Sequence, residues 1–313
     1  MDRIFSRGSD LATEKGKIIL KGVSIPDVYR LKNKEKQDVD KTLSMIKDIG
    51  FNVVRIPILP GNAVVYGESY ISDIKRMVES CLRLGLYCIL DWHAIGNPLA
   101  NETRLQEYFH EKGNEKIFWY LANLEMALDK VRMLANIFGG YDNVIFEVFN
   151  EPCPSDKDIE KLRLSALPFS EWRNIAVKLI HEVRKESDNL IIVSSNYWSF
   201  NLKDTSLNPY TEFKNISYSF HNYPLRNNKN WKEMMESLRD YPIIVTEFGY
   251  DVDEKSHYKS SYEEYMEPFM SYLEINEISW VAWCFSASWR PRIIEQWEPF
   301  SFSDFGNNLK RFI

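Results

Sequence analysis

The stretch Val144–Pro152, VIFEVFNEP, decides how the chain is to be read. Val144, Ile145, Phe146, Val148 and Phe149 are β-branched or aromatic, which marks a strand heading into a core. Yet Glu147 interrupts the apolar run, and Asn150 and Glu151 stand at its exit. An ionised carboxylate is costly to bury unless it is paired. Side chains alternate along a strand, so Glu147 and Glu151, four residues apart, point to the same side. Glu147 is therefore expected inside the structure beneath Glu151, held by a buried partner such as Arg55.

Seven further runs share the character of this one: KIILKGVSI, NVVRIPI, LYCILDWH, LIIVSSN, ISYSFHNY, PIIVTEFG and ISWVAWCF. Most of the intervals carry helical periodicity. Val39, Leu43, Ile46 and Ile49 recur at helical spacing before Gly50, and Ile71, Ile74, Val78 and Leu82 do so before Gly85. FWYLANLEMALDKVRMLANIFGG, FSEWRNIAVKLIHEVRK and SSYEEYMEPFMSYLEI supply three more helices. The interval after LIIVSSN is poorly helical. Apolar strands alternating with helices predict a parallel sheet covered on both faces. Eight of them in 313 residues predict an α/β fold of the (β/α)8 TIM-barrel type, as a single domain over 1–313. A doubly wound sheet fits less well, because KGVSIPDV carries one glycine where a phosphate-binding turn needs several.

In such a barrel the chemistry sits at the C-terminal strand ends. The sequence sends Arg55, Asp91, His93, Asn150, Glu151, Asn196, Trp198, His221, Tyr223, Glu247 and Trp283 to that rim. Glu151 and Glu247 leave the fourth and seventh strands and can face each other across the mouth. Facing carboxylates are what glycosidic cleavage needs: one protonates the leaving oxygen, the other attacks or stabilises the cationic sugar carbon.

The set Arg55, His93, Asn150, Glu151, His221, Tyr223, Glu247 and Trp283 resembles glycoside hydrolase family 5, whose motifs NVVRIPI, LDWH, FNEP, SFHNY, TEFG and AWCF match in their usual order. The resemblance runs from ILKGV to the closing FGNNLKRFI. It implies a retaining double displacement, with Glu151 as acid/base and Glu247 as nucleophile about 5–5.5 Å apart. The charge of Glu247 would raise the pKa of Glu151 until glycosylation removes it. Arg55 and Tyr223 would hold Glu247, and Asn150 would bond a sugar 2-hydroxyl. His93 and His221 would bind hydroxyls or orient the carboxylates, and Trp283 would offer a platform for a pyranose ring. The implied substrate is a β-linked oligo- or polysaccharide. Endo-β-1,4-glucanase action is the first expectation, with β-mannanase or exo-acting β-glycosidase activity and a barrel that only binds carbohydrate as alternatives.

Neither histidine lies in a metal-ligand spacing, so no metal and no cofactor is expected. The net charge of −6 carries no basic block, which excludes an electrostatic nucleic-acid partner, and no run is long enough to span a bilayer. A monomer is expected. The first residues lack the apolar stretch of a secretory leader, so the protein is either made without one and cytoplasmic or secreted with the leader absent from this sequence; Cys81, Cys88, Cys153 and Cys284 read as buried thiols, which lean towards a reducing compartment. The segments after strands three, four and eight are expected to shape the substrate cleft, with Trp289, Arg290 and Trp297 as candidates. His110, His181 and His257 are read as incidental loop or helix residues.

Overall fold

Eight parallel strands close on themselves in chain order in the computed structural model, which describes residues 1–154, 167–224 and 230–313. They are β1 (Lys21–Ser24), β2 (Val53–Ile58), β3 (Tyr87–Trp92), β4 (Val144–Glu147), β5 (Ile191–Ser194), β6 (Ile216–Asn222), β7 (Ile243–Phe248) and β8 (Ser279–Ala282). Strand β8 returns to β1 through Trp280–Lys21, Val281–Gly22 and Ala282–Val23 pairings, so the sheet has no edge. The expected (β/α)8 barrel is the fold.

Two apolar layers follow from strand alternation. Side chains on the outer faces of the strands meet the surrounding helices in one large core. The helix Val39–Ile49 shows how: Asp38 caps it through the Lys41 amide, Gly50 ends it at φ 114°, and Val39, Leu43 and Ile46 are buried. Each such aliphatic side chain contributes about 1.5–3 kcal/mol on burial. The second layer fills the lower barrel interior with Leu20, Val53, Tyr87, Ile89, Ile145, Leu190, Ile192, Ile244 and Val281. Ile4 and Leu11, from the antiparallel N-terminal strands Phe5–Arg7 and Asp10–Thr13 and their approach, join that cluster and seal its floor.

Two helical readings need correction. The helix before Gly85 runs over Pro60–Leu84, with Gly67 at φ 52° breaking its regularity, and it packs through Tyr70, Ile74, Met77, Val78 and Cys81. Leu82, read as part of its apolar stripe, is exposed. FWYLAN does not open the next helix, which starts at Leu124 behind the Asn123 cap. The poorly helical interval after β5 holds two short helical pieces, Asn196–Ser199 and Leu202–Leu207. The segment after β3 is not a plain loop: Phe109–Lys112 and Glu115–Phe118 form an antiparallel hairpin within it. Most of the segment after β4 lies outside the described residues. All four cysteines are buried, as expected. Among the described residues, no helix is long and apolar enough to cross a membrane.

Gly22 marks the tightest point of closure. A Cβ there would sit 2.0 Å from the Val53 carbonyl oxygen. Gly22→Ala should therefore cost about 3 kcal/mol or more of stability, at the upper end of overpacking penalties. Gly140→Ala, where a Cβ meets nothing within 4 Å, should change it by less than about 0.5 kcal/mol. Chemical denaturation of the two variants reads both values.

Candidate active site

Above the apolar floor the barrel interior turns polar, and Arg55 on β2 stands at its centre. It is wholly buried. Its Nε donates to Glu147 Oε2 at 2.6 Å, Nη1 to Glu247 Oε1 at 2.7 Å and Nη2 to Asn150 Oδ1 at 2.7 Å. Asp91 Oδ2 lies 3.0 Å from Nη2. Glu147 thus sits inside the barrel on Arg55, as its place in VIFEVFNEP predicts. One guanidinium cannot neutralise three carboxylates. Burial pushes the Asp91 carboxyl up to about 7 and raises Glu147 as well, so protons as well as Arg55 balance this cluster.

Glu151 and Glu247 meet at the mouth. One oxygen of each and a ring nitrogen of His221 all lie within 4.8 Å of one another. The exit from β4 is pinned to β3: the Asn150 amide donates to the Trp92 carbonyl at 3.0 Å and the Glu151 amide to the Ala94 carbonyl at 3.1 Å. Glu247 reaches the same point by a different device. Phe220 pairs with Val245 but His221 pairs with Glu247, so Thr246 is an extra residue in β7. Such a bulge re-aims the side chains that follow it. Ile244 lies in the interior cluster and Thr246 Oγ1 faces His221, yet Glu247, next in sequence, also enters the site. Strict alternation would have sent it outward.

The remaining residues of the family set gather here. Tyr223 donates to Glu247 Oε2 at 2.9 Å, so Glu247 carries Arg55 on one oxygen and a phenol on the other. His221 Nδ1 is 2.9 Å from Glu151 Oε1. His93 Nδ1 is 2.5 Å from Asp91 Oδ2. Burial pushes His93 down to about 3 and His221 to about 4, so both rings are neutral near pH 7. Trp283 stacks on His93 at 5.3 Å with the planes 2° apart, and Trp289 meets it edge-on at 5.0 Å. Beside Trp289 a recess of about 180 Å³ is lined by Asp27, Arg30, Asn62, His110 and Trp119.

Three candidates go elsewhere. Trp297 donates to Glu35, Arg290 pairs with Asp251 and with Asp253, and Trp198 lies under the guanidinium of Arg104. His110, read as incidental, stands on the hairpin after β3 and shares a 2.6 Å hydrogen bond with Asn62 Oδ1. Sequence reasoning misses Tyr120, whose ring lies 5.7 Å from that of His93, because FWYLAN reads as the start of a helix. The signal was present in Asn123, an N-cap residue that leaves everything before it outside the helix. It also misses Thr246 and Ser219, buried hydroxyls that open TEFG and SFHNY but carry no role in the sequence reading.

Glu151, His221 and Glu247 form a ligand set of the kind a divalent cation uses, although no spacing in the sequence announces it. Their surroundings disfavour a resident cation, since Arg55 already places a fixed positive charge on Glu247. The arrangement instead suits acid, base and nucleophile chemistry between two carboxyl groups.

The chain is similar to an endoglucanase of Clostridium saccharobutylicum, 24% identical over 284 residues, which is 88% of this chain and 55% of that one. It is likewise similar to Endoglucanase N of Pectobacterium atrosepticum, 24% identical over 87% of this chain and 55% of the relative. The chain thus spans about half the length of these relatives. Among solved structures, the β-glucanase SdGluc5_26A of Saccharophagus degradans superposes with a TM-score of 0.86 at 24% identity, covering 99% of this chain and 92% of that one. The catalytic domain of the Thermobifida fusca endoglucanase Cel5A gives 0.77 at 18% identity, covering 99% and 96%. The model of the cellulase family, glycosyl hydrolase family 5, matches residues 12–288. This chain belongs to glycosyl hydrolase family 5.

Proposed function

We propose that residues 1–313 form one catalytic domain, a retaining endo-β-1,4-glucanase in which Glu247 is the nucleophile and Glu151 the acid/base. The observation that carries this reading is the approach of the two carboxyl groups to within 4.8 Å. Inverting enzymes hold the pair about 6.5–9.5 Å apart to admit a water. Here the gap suits direct attack on the sugar carbon.

Each half of the reaction has its supports. Arg55 and Tyr223 fix both oxygens of Glu247, so attack needs no reorganisation. As Glu247 bonds to the anomeric carbon, Glu151 gives its proton to the departing glycosidic oxygen. In the second half Glu151 takes a proton from water, which displaces Glu247. Asn150 has its Oδ1 occupied by Arg55, while its Nδ2 is buried without a partner among the described residues. A sugar 2-hydroxyl satisfies that donor, and the contact strengthens as positive charge builds on the ring. Trp283, with Trp289 and the neighbouring recess, offers the apolar faces and polar edges that pyranose rings match.

A β-1,4-glucan is favoured as substrate by the names of the relatives and by the SdGluc5_26A structure in complex with cellotetraose, to which this chain is 23% identical. The product profile on cellulose, glucomannan and mannan separates this reading from mannanase and exo-acting ones. Internal cleavage of glucan is expected, and release of monosaccharide alone would refute it.

Azide distinguishes the two carboxylates. Glu247→Ala and Glu151→Ala should each lower turnover of soluble cellulose by about 10²-fold or more. With an aryl glycoside, azide should restore turnover in both. It should give the α-glycosyl azide with Glu247→Ala, where azide takes the place of the nucleophile, and the β-azide with Glu151→Ala, where it attacks the glycosyl-enzyme.

The buried histidines set a stability term. His221 titrates near 4 when folded and near 6.5 when unfolded, so its contribution is whole above pH 6.5 and is lost as pH falls towards 4. Relative to His221→Gln, the wild type should lose about 3 kcal/mol over that interval. Denaturation titrations of both proteins at several pH values give the difference directly.

A further inference from the structure

Behind Glu151 runs a line of buried side chains that the reaction as described does not use. His221 presents Nδ1 to Glu151 Oε1 at 2.9 Å and Nε2 to Thr246 Oγ1 at 3.0 Å. Thr246 Oγ1 is hydrogen-bonded to Ser219 Oγ, and Ser199 Oγ donates to Ser219 Oγ at 2.8 Å. Ser199, Ser219 and Thr246 are wholly buried.

Each hydroxyl has one proton to give, so the direction set at one end passes down the line. Ser199 donates to Ser219. Ser219 then spends its own proton on Thr246, and Thr246 spends its proton on the remaining neighbour, His221 Nε2. A ring nitrogen that accepts carries no hydrogen. In a neutral imidazole the hydrogen must then sit on Nδ1, which donates it to Glu151. The end of the line is itself held unusually: Tyr197, Trp198 and Ser199 take φ of 57°, 63° and 57°, three successive left-handed residues of which none is glycine. L-residues enter that region only against steric resistance.

Resting on the role of Glu151 proposed above, we propose that Ser199, Ser219 and Thr246 form a directional hydroxyl relay that holds His221 in its Nδ1–H tautomer and so keeps the reactive proton of Glu151 on Oε2. The opposite tautomer is a dead end. Nδ1 would then accept, and Glu151 would aim its proton at the imidazole instead of the glycosidic oxygen. No proton travels along the relay. During glycosylation the Glu151 Oε2 proton passes to the leaving oxygen, which keeps the electron pair of the broken C–O bond, while Nδ1–H continues to donate to Oε1 and supports the new carboxylate. The three hydroxyl residues are positioning residues, and His221 is the group through which they act. The β7 bulge makes this geometry available, because it admits Thr246 and Glu247 to the barrel mouth together.

Long-range ¹H–¹⁵N correlation spectra of the histidine-labelled protein near pH 7 test the tautomer, with His221 assigned by the signal that His221→Gln loses. The expected pattern is a neutral ring protonated on Nδ1 in the wild type and in Thr246→Ser, and a shift towards the Nε2–H form in Thr246→Val. An Nε2–H or doubly protonated ring in the wild type overturns the proposal. Kinetics supply the second arm. Thr246→Val should lower kcat/KM about tenfold on cellotetraose, whose leaving group needs the proton, within the roughly 10²–10⁴-fold that general acid catalysis supplies. It should change that on a dinitrophenyl cellobioside, whose leaving group does not, less than about twofold. Thr246→Ser should keep the wild-type rate on cellotetraose. Equal losses on the two substrates would reduce Thr246 to a structural role and refute the relay. If the wild type hydrolyses neither, the glucanase reading falls while the spectra still decide the tautomer.

Discussion

The polar half of this barrel interior is organised around one guanidinium. Arg55 binds Glu147 and Asp91 within the barrel wall, Asn150 at the exit of β4 and Glu247 at the end of β7. A planar fork of five donors suits this task, because it fixes the angles between its partners as well as their distances. A lysine could supply the charge but not the geometry. Removing one member from a buried ionic set of this kind typically costs about 3–5 kcal/mol, since the remaining charges lose their compensation. The site and the stability of the upper barrel therefore share a single support, and neither can be altered without the other.

That dependence explains why carboxylates appear inside apolar strands. Glu147 is the anchor on the far side of Arg55. Asp91 serves Arg55 and His93 at once, and burial moves its proton affinity to near neutrality. The interior thus pairs one permanent positive charge with groups that adjust their protonation to it. Neutral histidines fit the same logic: a charged imidazole beside Arg55 would add repulsion where solvent cannot screen it.

Much of this was legible in the sequence. VIFEVFNEP disclosed both the carboxylate buried beneath the mouth and the one that stands at it, because strand parity fixes which residues share a face. The helices declared themselves where caps and apolar spacing agreed, as at Asp38 and Gly50. What escaped reading was whatever broke a period. Thr246 is one residue out of register with β6, and no sequence pattern announces such an insertion. The hairpin after β3 is polar and flanked by aromatic residues, so tertiary contacts of His110 and Trp119 define it more than local preference does. Tyr120 escapes because FWYLAN is apolar enough to resemble the helix that begins only at Leu124.

The plug formed by Ile4 and Leu11 has a consequence of its own. It keeps the strand-start end of the barrel dry, so the charges above face liquid on one side only. Field lines from Arg55 and its carboxylates are then directed outward through the mouth and are not dissipated below. The first dozen residues, although far from any reacting atom, act as the dielectric backing of the site.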